Sequence, residues 1–471
     1  MTSRTGRSRA RPARDGVALG LAAALVLCGS SAAAQDDATE PLFLEGSWSR
    51  WLLQRPSTSS LEWAFGRDAA VRLRVGGTIR EQFEAYDDFE LGVEPETRGY
   101  DDYHLHRLLL HADLSVGERV RLFTQFGNSN IAGNDRPAGP VDDDEAYVHQ
   151  AFVEVALDGA LLDAGDGLDL RLGRQELSFG SGRLVSLRDG PNLRRSFDAG
   201  RLSLRSQRGV LDVFVGTEVR SRPGNFDNEP TDEVVFWGAY ATLFDVIDDQ
   251  NLDLYYFGLD RERSVFDVGT DAERRHSLGA RLWGDAGRWD VNVEPVVQFG
   301  SFGDRDIAAW TLGTDTGVRL GEAETSPHIG LRANVISGGS SNGTLRTFNA
   351  LFPNNSYFSE AALFAPANLI DVNPTLSVTP REGVVVTAMW DHLWRFDVDD
   401  GIYVPPGVPV LGGNTSDERY IGHSLSLLAE WELTERVKAF AAYTRFEAGP
   451  AVDEAGGGDV DYLLFGVDLS F

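Results

Sequence analysis

The sequence predicts an all-β protein, a transmembrane antiparallel β-barrel of about eighteen strands. Three observations lead to this prediction: a secretory leader at the amino end, repeated segments that alternate apolar and polar side chains, and a last strand that ends on an aromatic residue. We expect short periplasmic turns at one end of the barrel and long extracellular loops at the other. The barrel is predicted to span residues 69–471.

The first 34 residues have the features of a secretory signal peptide, which is removed from the mature protein. Arginines precede an apolar core at 17–28, and the small residues 31–34 form a cleavage site that ends at Ala34. The core is too short to cross a bilayer as a helix. The only cysteine, Cys28, lies in this leader, so we expect no disulfide after cleavage. Residues 35–68 are predicted to form a periplasmic or lumenal segment before the barrel.

The last eleven residues, Asp461 to Phe471, place two kinds of side chain at alternate positions. One face carries Leu463, Phe465, Val467, Leu469 and Phe471, and the other carries Gly466, Asp468 and Ser470. This pattern is typical of a strand with one apolar face. A closing strand with a terminal aromatic residue resembles the signal read by the outer-membrane barrel-assembly machinery, which we expect as a partner.

The same alternation recurs along the chain in segments of about ten residues, enough for a membrane-crossing strand. Two tight turns are predicted at Glu118 to Val120 and at Glu435 to Val437. Long polar connections are predicted at 127–144, 337–367 and 397–416. Further strands are predicted at 145–157, 208–218, 232–244, 251–259, 275–284, 288–298 and 326–336.

The charge balance excludes several classes of function. The chain has 72 acidic and 43 basic residues and a formal net charge of −29. Nucleic acid is therefore not expected as a partner, because phosphate binding needs a basic surface.

After residue 34 no stretch approaches the ~20 consecutive apolar residues of a membrane helix. We predict no catalytic residues, no metal site and no cofactor.

One stretch, 170–208, reverses the acidic character of the chain. It contains nine arginines against Glu176, Asp189 and Asp198. A guanidinium on the lipid face costs about 2–4 kcal/mol at the bilayer midplane, so these side chains belong inside the barrel or at its rims. Arg72, Arg74 and Arg80 share one strand face opposite apolar residues. Inside the barrel, such cations favour anions, and the planar guanidinium suits carboxylates. Alternatively, some pair with the three acids as struts.

Several motifs in this region carry a family resemblance. They are Gly-Arg-Gln at 173–175, Pro-Asn-Leu-Arg-Arg-Ser-Phe-Asp at 191–198 and the Arg-Leu that follows at 201–202. Together with Phe-Asn-Ala-Leu-Phe-Pro at 348–353 and Asn-Leu at 368–369, they resemble the alginate export family. The resemblance implies a monomeric, eighteen-stranded outer-membrane barrel that passes an anionic uronate polymer.

The resemblance also implies that Arg171, Arg174, Arg194 and Arg195 line the pore and that Asp198 helps to hold them. Together with strand parity, this gives a predicted set of pore-lining and supporting residues. The pore-lining residues are Arg72, Arg74, Arg171, Arg174, Arg194, Arg195 and Arg201, and their structural partners are Gln175, Glu176 and Asp198.

The predicted function is passive transport of an anionic saccharide, such as an alginate-like polyuronate, across the outer membrane of a Gram-negative bacterium. Two alternatives remain open. One is a general anion-selective porin with no polysaccharide role. The other is an outer-membrane barrel hydrolase, which would need a nucleophile beside a base. We predict a channel in contact with outer-membrane lipid, and not an enzyme.

Overall fold

The computed structural model describes residues 61–66, 70–157, 167–247, 250–323 and 325–471. The predicted signal peptide 1–34, with Cys28 and the cleavage site at Ala34, lies outside these residues. Most of the predicted segment 35–68 also lies outside them.

Strands make up nearly all of the regular structure of the described residues, and helix is confined to a few short turns. The helical pieces are α1 (Pro450–Asp453) and the 3-10 turns Phe89–Gly92, Pro95–Thr97 and Gly413–Thr415. The strands are β1 (Leu61–Phe65), β2 (Val71–Asp87), β3 (Tyr100–Val116), β4 (Val120–Ala132), β5 (Asp144–Ala156), β6 (Gly167–Gln175), β7 (Phe197–Ser206), β8 (Gly209–Arg220), β9 (Glu229–Pro230), β10 (Val234–Ile247), β11 (Gln250–Phe266), β12 (Gly269–Ala286), β13 (Trp289–Phe302), β14 (Arg305–Arg319), β15 (His328–Ile336), β16 (Ser340–Ser341), β17 (Thr344–Leu345), β18 (Leu369–Arg381), β19 (Val384–Arg395), β20 (Ile402–Val404), β21 (Val408–Leu411), β22 (Tyr420–Thr434), β23 (Val437–Ala448) and β24 (Val460–Ser470).

Eighteen strands close into one antiparallel barrel, as the sequence predicts. The barrel contains every strand except the six short ones, β1, β9, β16, β17, β20 and β21. Closure occurs where β24 pairs with β2, in a register that puts Asp468 opposite Arg80 and Tyr462 opposite Tyr86. A closed barrel leaves no open sheet edge to hydrocarbon, where unsatisfied backbone groups are costly.

The pairing at the closing seam continues past β24. Phe471 exchanges two backbone hydrogen bonds with Gly77, at 2.7 and 3.0 Å. Beyond Gly77, strand β1 takes the place of β24 and pairs with the first residues of β2, with Leu61 opposite Val75. This pairing provides hydrogen-bond partners for the edge of β2 before Gly77, where the backbone groups would otherwise be unpaired. Strand β1 lies within the segment 35–68 that was predicted to precede the barrel.

Side chains alternate between the two faces of the wall. Leu278 on β12 and Val297 on β13 are paired and face outward, where they are 46% and 53% exposed. The neighbouring pair, Ser277 and Gln298, faces inward and is almost fully buried, at 0% and 2% exposed. The period of two therefore places an apolar surface outside and polar groups inside, as a membrane barrel requires. No helix among the described residues is long and apolar enough to span a membrane.

The two ends of the barrel differ in the length of their connections. Short turns such as 117–119 and 435–436 join strands at one end, and long loops such as 337–368 and 396–419 lie at the other. Both tight turns were predicted, and each additional predicted strand segment overlaps an observed strand. The predicted connection 127–144 is wrong in its first part, because β4 continues to Ala132. Asn128 and Asn130 made this part resemble a loop, but polar residues are tolerated in the strand near the barrel rim.

Two long loops from the same end fold into the lumen. We call residues 176–196 the first inner loop and residues 337–368 the second inner loop. They pair with each other, since Ser186 N donates to Phe352 O and Phe352 N donates to Leu184 O, each at 2.8 Å. The Phe352 ring also packs on Phe236 of β10 at 4.9 Å. The apolar core of the protein therefore lies inside the barrel, between the wall and these loops.

Outward-facing positions should tolerate charge poorly. We expect Leu278→Arg, in the middle of β12, to lower the free energy of unfolding in lipid vesicles by about 2–4 kcal/mol. Val408→Arg, in a loop strand with similar exposure, is the matched control and should change it by less than about 1 kcal/mol. Reversible denaturant unfolding followed by tryptophan fluorescence measures both. Equal losses would contradict the assignment of the outer face to lipid.

Candidate functional site

The first inner loop is anchored to the wall by one buried carboxylate. Asp189 Oδ2 accepts a hydrogen bond from Arg80 Nη2 at 2.9 Å, and Asp189 Oδ1 accepts one from Arg107 Nη2 at 2.8 Å. Arg80 also donates from Nε to Asp468 Oδ1 at 2.7 Å, which ties the loop to the closing seam. Arg80, Arg107 and Asp189 are each less than 5% exposed.

A second part of the same loop continues this ion network. Arg194 contacts Glu176 at 2.9 Å and Asp189 at 3.5 Å. Glu176 also contacts the buried His149 ring of β5 at 2.7 Å. We call Arg80, Arg107, Glu176, Asp189 and Arg194, with Asp468, the lumen ion cluster. Its three cations and three anions balance, so its main effect is to hold the first inner loop against β2, β3 and β5.

The positive charges of the cluster lower the pKa values of its two carboxyl groups in the first inner loop, Asp189 and Glu176. Burial alone would raise the pKa of Asp189, but attraction to Arg80, Arg107 and Arg194 outweighs it and holds that pKa well below its usual value. The pKa of Glu176 is lowered in the same way, mainly by Arg194 against burial. The pKa of Asp189 is lower in the folded protein than in the unfolded chain, where it is about 4. Asp189 therefore stabilises the fold at a pH above the pKa of the unfolded chain. This stabilisation is lost as the pH falls through the lower pKa of the folded protein.

A row of arginines crosses the inner wall nearer the short-turn end. The strand registers place Arg72, Ser115, Arg121, Glu154, Arg171 and Arg201 side by side on β2 to β7. We call Arg72, Arg121, Arg171 and Arg201 the arginine row. Neighbouring strands are about 4.8 Å apart, so the row follows the wall for roughly 24 Å.

Most members of the row have a carboxylate partner but keep part of their surface open. Arg121 contacts Asp113 at 2.9 Å, and Arg171 donates to Glu154 at 2.7 Å. Arg201 makes two hydrogen bonds to Asp212, at 2.9 and 2.7 Å. These three arginine side chains are 20–35% exposed, and Arg72 is exposed. A recess of about 320 Å³ lies beside Arg72, Arg121 and Glu154.

Arg174 and Asp198 lie on the opposite face of the sheet from the arginine row. They are paired in register and form an ion pair at 2.8 Å. Arg174 shares a face of β6 with Leu172, which is 48% exposed on the outside. Arg174 also donates to Val148 O and Asn228 O, so the pair lies on the outer wall near the long-loop end. The structure therefore does not bring Arg174 together with Arg171.

The other residues of the predicted set take separate positions. Arg194 belongs to the lumen ion cluster, whereas Arg195 contacts Glu218 at 3.0 Å and stacks on the Phe352 ring. Arg74 contacts Glu62 of β1 at 3.3 Å, and both side chains are nearly half exposed. Gln175 is fully buried and donates to Ala199 O at 3.0 Å.

Three arginines at the centre of this geometry were not in the predicted set. Arg80 shares the face of Arg72 and Arg74, as its position in the alternating strand predicts, but the predicted set does not contain it. Arg107 and Arg121 have no motif around them. The only sequence feature that indicates these two arginines is their position in an alternating strand, where each lies on the face opposite the apolar side chains. Reading each strand face in full would have found both.

A hydrolase would need a serine beside a base. Residues 339–343 have the Gly-x-Ser-x-Gly spacing, but they form the hairpin between β16 and β17 and not the strand-to-helix turn of a nucleophile elbow. Ser341 Oγ accepts a hydrogen bond from Arg346 Nε at 3.2 Å. Within the described ranges, no group of three or more His, Cys, Asp or Glu side chains is placed to hold a metal ion.

Comparison with protein families decides the identity of this barrel. The model of the alginate export family matches residues 71–465, which is nearly the whole barrel. The chain belongs to the alginate export family. A comparison with curated proteins gives no match. Family and fold together identify an outer-membrane β-barrel channel for solute passage, and the predicted family is confirmed.

Solved structures with the same fold are outer-membrane porins of low sequence identity. Acinetobacter baumannii OccAB1 has a TM-score of 0.58 and 13% identity, over 88% of this chain and 99% of that chain. Pseudomonas aeruginosa OccK11 (OpdR) has a TM-score of 0.56 and 13% identity, over 87% and 98%. P. aeruginosa OccK2 (OpdF), in complex with glucuronate, has a TM-score of 0.54 and 13% identity, over 84% and 96%.

Removing the central carboxylate should destabilise the protein. Asp189→Asn leaves Arg80, Arg107 and Arg194 with one buried anion fewer, so we expect the free energy of unfolding to fall by about 3–5 kcal/mol. Asp169→Asn, which breaks a more exposed pair with Arg205, is the control and should cost about 0–1 kcal/mol. Denaturant titration in detergent micelles measures both values. A loss for Asp189→Asn no larger than that of the control would show that the cluster does not anchor the loop.

Proposed function

We propose that this channel passes anionic saccharides, or related carboxylates, by diffusion, and that the arginine row lines their path. The observation that supports the proposal is the row itself: four guanidinium groups at one level of the inner wall. Fixed cations along a lumen raise the local concentration of anions and oppose the entry of cations. A planar guanidinium also offers two parallel donors to a carboxylate.

The charge of the row is not fully cancelled by its neighbours. Among the described residues, Arg72 has no ion pair, whereas Arg121, Arg171 and Arg201 share Asp113, Glu154 and Asp212. One net positive charge therefore remains, and the open parts of the paired guanidinium groups can still donate to a passing anion. The carboxylate of a passing solute competes with the fixed carboxylates for the same guanidinium groups. This competition keeps binding weak, and weak binding allows the solute to leave.

Aromatic rings give the row an additional property. The Phe152 ring lies between two of its members, 4.3 Å from the Arg171 guanidinium carbon and 5.6 Å from that of Arg121. Arg201 similarly lies 5.7 Å from the ring of Phe179. Stacking on rings restricts the guanidinium groups to a few orientations. An ordered set of donors beside apolar rings suits a solute with a carboxylate and a ring.

This chemistry and the comparisons support a particular class of solute. The OccK2 structure holds glucuronate, a sugar carboxylate, and the similar OpdK structure holds vanillate, an aromatic carboxylate. Family membership favours polymeric uronates, which are our first candidate. The two inner loops narrow the lumen and favour monomeric carboxylates, which are the second candidate. A general anion-selective porin with no polysaccharide role is the simplest form of the second candidate.

We also propose the cellular setting that the sequence predicts. The signal peptide would be removed near Ala34, and the last strand, with Phe471, would be recognised by the barrel-assembly machinery. The outward apolar surface, with residues such as Leu278 and Val297, would then contact outer-membrane lipid as a monomeric barrel. The closing seam needs no partner chain, because β2 and β24 satisfy each other.

Neutralising the row should reduce anion selectivity. In planar bilayers with a gradient of dilute KCl, the double variant Arg171→Gln, Arg201→Gln should shift the zero-current potential towards cation selectivity, since Glu154 and Asp212 lose their cations. Arg174→Gln removes an arginine of the same strand from the outer face and should leave the potential unchanged. Equal shifts in the two variants, or none in either, would contradict a pore-lining row.

A second measurement separates the two solute classes. We expect oligouronates to block the open channel of the wild-type protein at lower concentration than glucuronate, because several carboxylates bind along the row at once. Equal block by the oligomer and the monomer, per carboxylate, would favour the channel for monomeric carboxylates. Neutral oligosaccharides of the same length serve as the control for size alone.

A further inference from the structure

Two inward-facing aspartates on neighbouring strands have no base as an ion partner among the described residues. Asp371 of β18 and Asp391 of β19 are 1% and 2% exposed. Each has one carboxylate oxygen, Oδ1, that accepts no hydrogen bond. Several other buried carboxylates of this protein, such as Asp189 and Glu273, are held by arginines. When both are ionised, Asp371 and Asp391 need another source of positive charge.

A buried amide points to the same place. Asn373 is 0% exposed, and neither its Oδ1 nor its Nδ2 has a hydrogen-bond partner. The strand register pairs Val372 with His392 and Thr375 with Met389, which puts Asn373 directly opposite Asp391 on the inner face. Asp371 is the diagonal neighbour of Asp391, at a Cα separation of about 7–8 Å. On the other side, Asp391 is paired with the buried Ser424 of β22.

The nearest bases, Arg332 and Arg183, neutralise the pair only in part, because each also has a carboxylate of its own. Arg332 makes two hydrogen bonds to Asp315, at 3.2 and 3.0 Å. Arg183 donates from Nε to Glu294 at 2.9 Å. With these two ion pairs balanced, Asp371 and Asp391 would leave two negative charges buried together if both were ionised. Two uncompensated charges at this separation repel strongly in an environment of low dielectric constant.

We propose that Asp371, Asn373 and Asp391 bind one divalent cation, Ca²⁺, on the inner wall of the barrel. The Oδ1 atoms of the three side chains, which have no hydrogen-bond partner, are hard oxygen ligands, and the register places Ser424 opposite Asp391. Ca²⁺ accepts carboxylate and amide oxygens in irregular geometry and completes its shell with water, whereas Mg²⁺ demands a near-ideal octahedron. A charge of +2 would cancel the two aspartates. Only two of the three proposed ligands are acidic. The site is therefore consistent with the finding that the described residues contain no metal-binding group of three His, Cys, Asp or Glu side chains.

The proposed site is linked to both inner loops through one amide. Asn334 Nδ2 donates to Asp371 Oδ2 at 3.0 Å and so fixes that carboxylate. Asn334 Oδ1 accepts hydrogen bonds from Tyr357 of the second inner loop, at 3.1 Å, and from Arg183 of the first. A cation held by Asp371 would therefore stabilise the two loops inside the lumen. Removal of the cation would weaken their attachment to this side of the wall.

Calcium titration of the refolded full-length barrel in detergent tests the proposal. After treatment with a chelator, isothermal titration with CaCl₂ should show one site of highest affinity, and CaCl₂ should raise the melting temperature. Asp391→Asn and Asn373→Ala should each weaken that site by at least about tenfold while the heat-modifiable gel mobility of a folded barrel is kept. Asp304→Asn, at an exposed turn, is the matched control for weak binding to the acidic surface and should leave the site unchanged.

The outcomes separate a cation from a shared proton. If the two aspartates instead share a proton, CaCl₂ will not change the melting temperature, and Asp391→Asn will raise it by removing the repulsion. That result, or an unaltered site in both Asp391→Asn and Asn373→Ala, would overturn the proposal. Neither result depends on which solute the channel passes, since no transport is measured.

Discussion

The structure depends on the backbone hydrogen bonds that close β24 against β2. Hydrocarbon offers no hydrogen-bond partner, so every strand edge must be paired within the protein. The seam satisfies this requirement as far as Gly77 and Phe471, and β1 satisfies it beyond them. Closure also separates an apolar exterior from a polar interior. Apart from the Arg174–Asp198 pair on the outer wall, the charged groups described above lie inside, where polar groups and paired ions replace lipid.

Inside the barrel, arginine has two roles that differ in exposure. In the lumen ion cluster the guanidinium groups are buried and balanced, and they hold the first inner loop to the wall. In the arginine row they are partly exposed and carry a small excess of positive charge. Burial thus distinguishes arginines that stabilise the fold from those that can meet a solute. Asp371 and Asp391 are a third case, buried carboxyl groups with no arginine ion pair among the described residues.

The fold could be predicted from the sequence because period-two alternation is a local signal that each strand carries for itself. The candidate site was predicted less completely. Arg171 and Arg174 are three residues apart in β6, so an unbroken strand must place them on opposite faces; a motif resemblance does not show this. The contact between Arg80 and Asp189 joins residues 109 positions apart, and depends on an inner loop whose path no local pattern specifies. Asp371 and Asp391 likewise meet only through strand register.

The most direct test of the closed barrel is a register-specific disulfide across the seam. Phe83 and Phe465 are paired on β2 and β24, at a separation that suits a disulfide. In a Cys28→Ser background, cysteines at these two positions should cross-link in the membrane-embedded protein. Cysteines at Phe83 and Leu469, four residues out of register, should not. Cross-linking of the second pair in preference to the first, or of neither, would contradict the closure on which the account depends.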